Sequence, residues 1–153
     1  TGPPWLAHVA SAQGHVAAEH AAGHNTTPVD YSNIPGCTYC QPQVASIGLT
    51  ESAAKEKGYD VKIGKFDFKS SGKAMATGDT AGFVKLVFDS KYGELLGAHI
   101  ICSEATEMIA ELCIAKALES TWHELATTIH AHPTLTEAVM EAALDAMGQG
   151  VHQ

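Results

Sequence analysis

Apolar residues along this chain recur with two different periods, and these set the elements to expect. Residues Pro4 to Ala22 place Leu6, Val9, Ala10, Val16 and Ala17 on an imperfect stripe of helical period, with Gly23 as a C-cap. From His24 to Pro35 the chain is polar and rich in turn formers such as Asn25, Pro28 and Asn33, which predicts a linker and a domain boundary. Cys37 to Cys40 reads as a short strand interrupted by Pro42. Thr50 then caps a helix that runs to Lys57 and stops at Gly58. Val61 to Phe68 has strand chemistry, and its alternation changes phase at Gly64, as at a bulge.

The clearest hairpin joins Gly82–Phe88 to Leu95–Cys102 through the polar turn Asp89–Glu94. Ser103 opens a long helix over Glu104–Glu119. Its polar strip is Glu104, Glu107 and Glu111, while Met108, Ile109, Leu112, Ile114 and Leu118 cover much of the rest. A helix that apolar is expected to be buried on more than one side. Thr121 to Glu124 has the spacing of a capping box, and a last helix over Thr134–Met147 keeps Glu137, Glu141 and Asp145 in one stripe. Strands come first and helices later, so the pattern predicts an α+β fold, an antiparallel sheet covered by helices.

Composition narrows the function classes. The 153 residues suffice for one ordinary core, and 45% hydrophobic with 17% charged residues is a globular balance. A net charge of -8 without a basic run argues against nucleic acid as a partner. No apolar run reaches the ~20 residues that cross a bilayer, and no signal-peptide layout is present. The opening Thr1-Gly2-Pro3-Pro4 reads as mid-loop rather than as a natural beginning. The four cysteines read as free thiols of a reducing compartment. Cys37 and Cys40 have redox or zinc spacing, but in a strand residues three apart face opposite ways, so buried strand cysteines are expected instead.

The candidate chemistry lies in His130 to Glu137. Thr134 and Glu137 have capping-box spacing, and a proline just before a helix is common, so Glu137 can be a helix cap and His132 a loop histidine. Alternatively, Glu137 reaches back to His132. A carboxylate on one ring nitrogen fixes the tautomer and raises the basicity of the other, giving a general base. Spacing alone leaves both readings open. His130 and His132 also have the spacing of two metal ligands, but a metal needs further ligands, and Pro133 favours a rigid loop. No metal is expected. His20 and His24 are read as solvent-facing.

The segment His130 to Glu137 closely resembles the C-terminal signature of the dihydrolipoamide dehydrogenase family, within the flavin-dependent pyridine nucleotide-disulfide oxidoreductases. Other stretches agree in the same order. Leu6-Ala7-His8 with Gly14 and Val16 to His20 resembles the end of that family's FAD-binding domain. Tyr39 to Val44 through Ile47 to Glu51 resembles the opening of its interface domain. Gly82 to Leu86 and Gly97 to Ile100 resemble its central hairpin. Trp5 stands where an aliphatic residue or Met is usual, and Cys40 and Gln43 where Thr and Glu are common.

The resemblance implies a division into residues 1–24, the last helix of an FAD-binding domain; 25–36, a linker; and 37–149, an interface domain of the reductase dimerisation type. It implies His132 as the base and Glu137 as its carboxylate partner, acting on the other subunit's site in a two-fold homodimer. Leu6, Ala7 and His8 would touch the flavin edge, and Pro42 and Pro133 would be structural, Pro133 after a cis bond as in relatives. The parent would use FAD and NAD to reoxidise dihydrolipoamide on the lipoyl domain of a 2-oxoacid dehydrogenase or glycine cleavage complex, in bacterial cytoplasm or an organelle matrix. This chain alone would be inactive and hold no cofactor tightly. Two further possibilities stand beside this: the same domain of a sister reductase of the glutathione type, and a stand-alone dimerisation or metal-binding module.

Overall fold

The computed structural model describes residues 2–152. Contacts divide the chain after Ile34 into two compact units. The first is built on helix α1 (Ala7–Ala21), in which Val9 is the buried residue; His20 and His24 are exposed. A backbone bond from His24 N to Glu19 O closes its C-terminal end.

The second unit is a five-stranded antiparallel sheet of order β1-β2-β5-β4-β3, with β1 Gly36–Thr38, β2 Gln43–Gly48, β3 Val61–Asp67, β4 Phe83–Asp89 and β5 Leu95–Cys102. Helices α4 (Ala105–Ala117) and α6 (Glu137–Ala146) cover one face, α4 over β2 and β5, α6 over β3 and β4, and α5 (Trp122–Thr127) packs on α6. Alternation along the strands sends Ile47, Val84, Leu86, Phe88 and Ile100 into this main core, each below 2% exposed. Two short helices, α2 (Glu51–Glu56) and α3 (Gly72–Thr77), complete the unit. Ala54 of α2 meets Val87 and Leu96 in a smaller cluster, which Val61 and Ile63 join from β3. None of the helices among the described residues is long and apolar enough to cross a membrane.

Several expectations change. The bulge predicted at Gly64 is absent: β3 and β4 run in unbroken register, with Gly64 opposite Leu86. The phase shift arises because Val61 and Ile63 serve the smaller cluster while Phe66 serves the main core on the opposite face. Gly64 is required by a close approach, since a Cβ there would stand 1.9 Å from the Ala142 carbonyl oxygen of α6. The register irregularity lies instead between Val87 and Phe88, opposite β5.

The strand read at Cys37–Cys40 ends at Thr38, and Cys40 is exposed in the bend before β2 rather than buried in a strand. β2 itself was not expected; its signal is the two-residue alternation of Ala45 and Ile47, both 1% exposed. Helix α3, capped by Ser71, was likewise not expected. Helix α4 buries Met108, Ile109 and Leu112 on one side, whereas Ile114 and Leu118 are exposed at 63% and 73% in the single chain. The capping box at Thr121 and Glu124 forms in full. The last helix begins at Glu137 rather than Thr134, because Thr134 turns its hydroxyl back to the Ala131 carbonyl at 2.6 Å.

Candidate active site

The loop between α5 and α6 carries His130, His132 and Pro133, and the peptide bonds before Pro133 and Pro42 are cis. Two anchors hold this loop. On its entry side, the His130 side chain is 5% exposed and bonds Glu111 of α4 through Nε2 at 2.7 Å, with Nδ1 3.0 Å from the Thr128 carbonyl. The Glu111 carboxylate, chiefly by that hydrogen bond, raises the His130 pKa above the usual histidine range against the opposing effect of burial. On the exit side, Glu137 opens α6 and its Oε2 accepts the Thr134 N–H at 2.9 Å.

Glu137 Oε1 is 2.9 Å from Nδ1 of His132. The Thr134 amide, with the His132 bond as a lesser aid, holds the Glu137 carboxyl below the usual carboxylate range. An ionised carboxylate only accepts, so Nδ1 carries the proton toward it and the Nε2 lone pair is left able to accept one. Nε2 has no partner among the described residues, and the His132 side chain is 77% exposed. One oxygen of Glu137 thus holds the loop backbone at Thr134 and the other meets an imidazole, while no side chain caps the start of α6, whose N-cap is Thr136.

This pair borders a cavity of about 340 Å3 whose wall includes Phe66, Met75, Met140 and Glu141. Sequence reasoning missed Glu141 as part of the site. Its only signal was its position four residues after Glu137 on the same helix stripe, and its partner His152 lies beyond the helix, with no spacing rule to announce it. His130 and His132 do not converge: one is buried on Glu111, the other faces outward. Among the described residues no three His, Cys, Asp or Glu side chains are placed to hold a metal ion.

Leu6, Ala7 and His8 are exposed at the start of α1, in the first unit. No side chain caps that helix start, and first-turn amides attract negative charge. Pro4, Trp5, Leu6 and Ala7 line a hollow of about 280 Å3 there. An exposed helix start of this kind has the chemistry to meet a negatively charged group.

Comparison with known proteins identifies the family of the fold. Residues 34–143 match the dimerisation domain of the pyridine nucleotide-disulphide oxidoreductases. Among curated relatives, the chain is 52% identical over 149 residues to a dihydrolipoyl dehydrogenase of Rhizobium etli, covering 97% of this chain and 31% of that protein. It is 54% identical over 152 residues to one of Zymomonas mobilis, covering 99% and 33%. The structure of LpdA from Mycobacterium tuberculosis superposes with a TM-score of 0.88 at 26% identity, over 95% of this chain and 32% of that one. The chain thus spans about a third of the length of the relatives it matches. It belongs to the dimerisation-domain family of the pyridine nucleotide-disulphide oxidoreductases.

Proposed function

We propose that this chain is the C-terminal part of a bacterial dihydrolipoamide dehydrogenase, and that it supplies the homodimer interface and the general base. The carrying observation is the His132 Nδ1–Glu137 Oε1 bond at 2.9 Å, which leaves Nε2 exposed as the proton acceptor. A dihydrolipoyl thiol has a pKa of roughly 8.5 or above, so little of it is thiolate near neutrality. His132 Nε2 takes the thiol proton as the sulfur attacks the disulfide carried elsewhere in the parent enzyme, and returns it to the leaving sulfur. Glu137 keeps the ring in the required tautomer and steadies the imidazolium in between. Leu6, Ala7 and His8 would hold one edge of FAD, which when bound carries the electron pair on toward NAD.

The partner subunit would complete each site, since His132 faces outward from its own unit. Exposed Ile114, Leu118 and Ile129 supply apolar surface for such an interface. The further partner is the lipoyl domain of a 2-oxoacid dehydrogenase or glycine cleavage complex in the bacterial cytoplasm. The test is to express the full-length gene around this chain, load it with FAD, and assay NAD-dependent oxidation of dihydrolipoamide beside NAD(P)H-dependent reduction of glutathione disulfide. Turnover of dihydrolipoamide is expected; turnover of the glutathione couple alone would contradict the reading.

A further inference from the structure

Between the end of α5 and Thr134, Ile129 and residues 131–133 are all exposed. Of this stretch only His130 turns inward, its side chain 5% exposed. On its entry side, the segment that carries His132 therefore depends on one buried ring. That ring meets an acceptor at each nitrogen: Glu111 Oε1 is 2.7 Å from Nε2, and the Thr128 carbonyl is 3.0 Å from Nδ1. A neutral imidazole has one N–H and serves one acceptor; only the imidazolium donates to both. Both acceptors are themselves fixed. Glu111 stands within α4, whose Met108, Ile109 and Leu112 are buried. Thr128 closes α5, with its amide and its hydroxyl bonded to the Glu124 carbonyl at 3.0 and 2.7 Å.

His132 is held more loosely: its ring is 77% exposed and bonds Glu137 through Nδ1 at 2.9 Å. That bond sets how the ring is turned, while the backbone two residues earlier sets where it stands. We infer that Glu111 and His130 are positioning residues for His132: their charged bond fixes the loop, and the base is fully placed only while His130 keeps both ring protons. The inference rests on the function proposed above. Deprotonating His130 leaves one N–H for two acceptors and turns a lone pair toward the other, so the ring releases one of them. The groups acting on the ring are Glu111 from α4, the Thr128 carbonyl at the end of α5 and Glu137 from α6, and they raise its pKa above the usual histidine range against burial. Two histidines two residues apart thus have opposite requirements. Protonating His132 removes the base, and deprotonating His130 releases its support.

The experiment follows the FAD-loaded full-length enzyme from about pH 6 to about pH 10, across the histidine and thiol ranges. Dihydrolipoamide oxidation is measured beside NADH oxidation by an artificial acceptor, and the ratio of the two cancels losses of flavin or folded protein. In the parent, kcat/KM for dihydrolipoamide relative to acceptor activity should fall on the alkaline side. Glu111→Gln should lower that ratio about ten-fold near pH 8, as a displaced base does, and move the alkaline midpoint to lower pH. Ionisation of the substrate thiol is common to parent and variants, so the difference between them reports the protein group. A role confined to stability would lower both activities together and leave the midpoint in place. Should Glu111→Gln misfold, His130→Gln decides: its amide donates to Glu111 at every pH, so the alkaline fall should flatten. A ratio that tracks the parent's at every pH, or an equal loss of both activities with an unmoved midpoint, overturns the inference. If the parent oxidises no dihydrolipoamide at any pH, the proposed function itself has failed, and that outcome is distinct from an active parent with unresponsive variants.

Discussion

His132 and Glu137 are joined by a 2.9 Å hydrogen bond from Nδ1 to Oε1, and the same carboxylate accepts the Thr134 N–H in the loop just ahead of the helix it opens. One side chain therefore links the anchoring of the loop to ring orientation. Substituting Glu137 should disturb both, and the two effects separate by choice of residue.

Glu137→Ala should cost about 1 kcal/mol, the usual net worth of a hydrogen bond, and lower the melting temperature of the chain by about 3 °C. Because the folded Glu137 pKa is depressed, its contribution is complete above the ordinary carboxylate range and is lost as pH falls through and below it. The stability difference between wild type and Glu137→Ala, followed by calorimetry, should shrink on acidification. A difference that grows at low pH would contradict this assignment.

His130 carries the opposite sign. Its pKa is raised, first by the Glu111 hydrogen bond, so the pair's contribution is complete below the ordinary histidine range and is lost as pH rises through the raised value. Replacing Glu111 with Gln should move the NMR titration of the His130 ring to lower pH, since the ring loses its main charged partner while burial still opposes charging and only the lesser aids of the Thr128 carbonyl and Glu137 remain. An unchanged midpoint would show that Glu111 is not the controlling partner.

Gly64 and Gly14 should respond oppositely to alanine. At Gly64 the new Cβ would meet the Ala142 carbonyl oxygen at 1.9 Å, a backbone atom that cannot step aside. Overpacking of this kind costs roughly 1–3 kcal/mol or more and should lift α6, with Glu137, off β3. Gly14 lies within α1 with nothing within 4 Å of the added atom, so Gly14→Ala should stabilise that helix by about 0.5–1 kcal/mol. Denaturant midpoints for the two variants, with circular dichroism to follow α1, test both signs.

How far the sequence announced all this differs by element. The β4–β5 hairpin, α4 and the Thr121–Glu124 capping box carry strong local signals, and they appear where the pattern puts them. Strand β2 was hidden because its inward residues, Ala45 and Ile47, form too short an alternation after Pro42 to stand out. Gly64 gave a strand irregularity, but a bulge and a close helix approach leave the same mark in sequence. The His130–Glu137 segment was legible because its groups lie within eight residues. Glu111 and His152 were not, since each reaches its partner only through folding, across 19 and 11 positions.

Thiol chemistry should single out Cys40. It is exposed, whereas burial pushes the Cys102 thiol up to about 11 and also raises Cys37 and Cys113. At pH 8 a disulfide reagent should modify one thiol fast and Cys102 at least about 100-fold more slowly. Cys40→Ser should remove the fast phase; a fast phase that survives would place the reactive thiol elsewhere.

The central claim is that His132 is the base, and paired activities of one variant test it most directly. In the full-length enzyme, His132→Gln should slow dihydrolipoamide oxidation by about 10²–10⁴-fold, the usual worth of a positioned acid–base group. Flavin content and NADH oxidation by an artificial acceptor, which needs no substrate thiol, should stay close to wild type. Dihydrolipoamide turnover that survives His132→Gln, or a loss shared equally by both activities, would contradict the account.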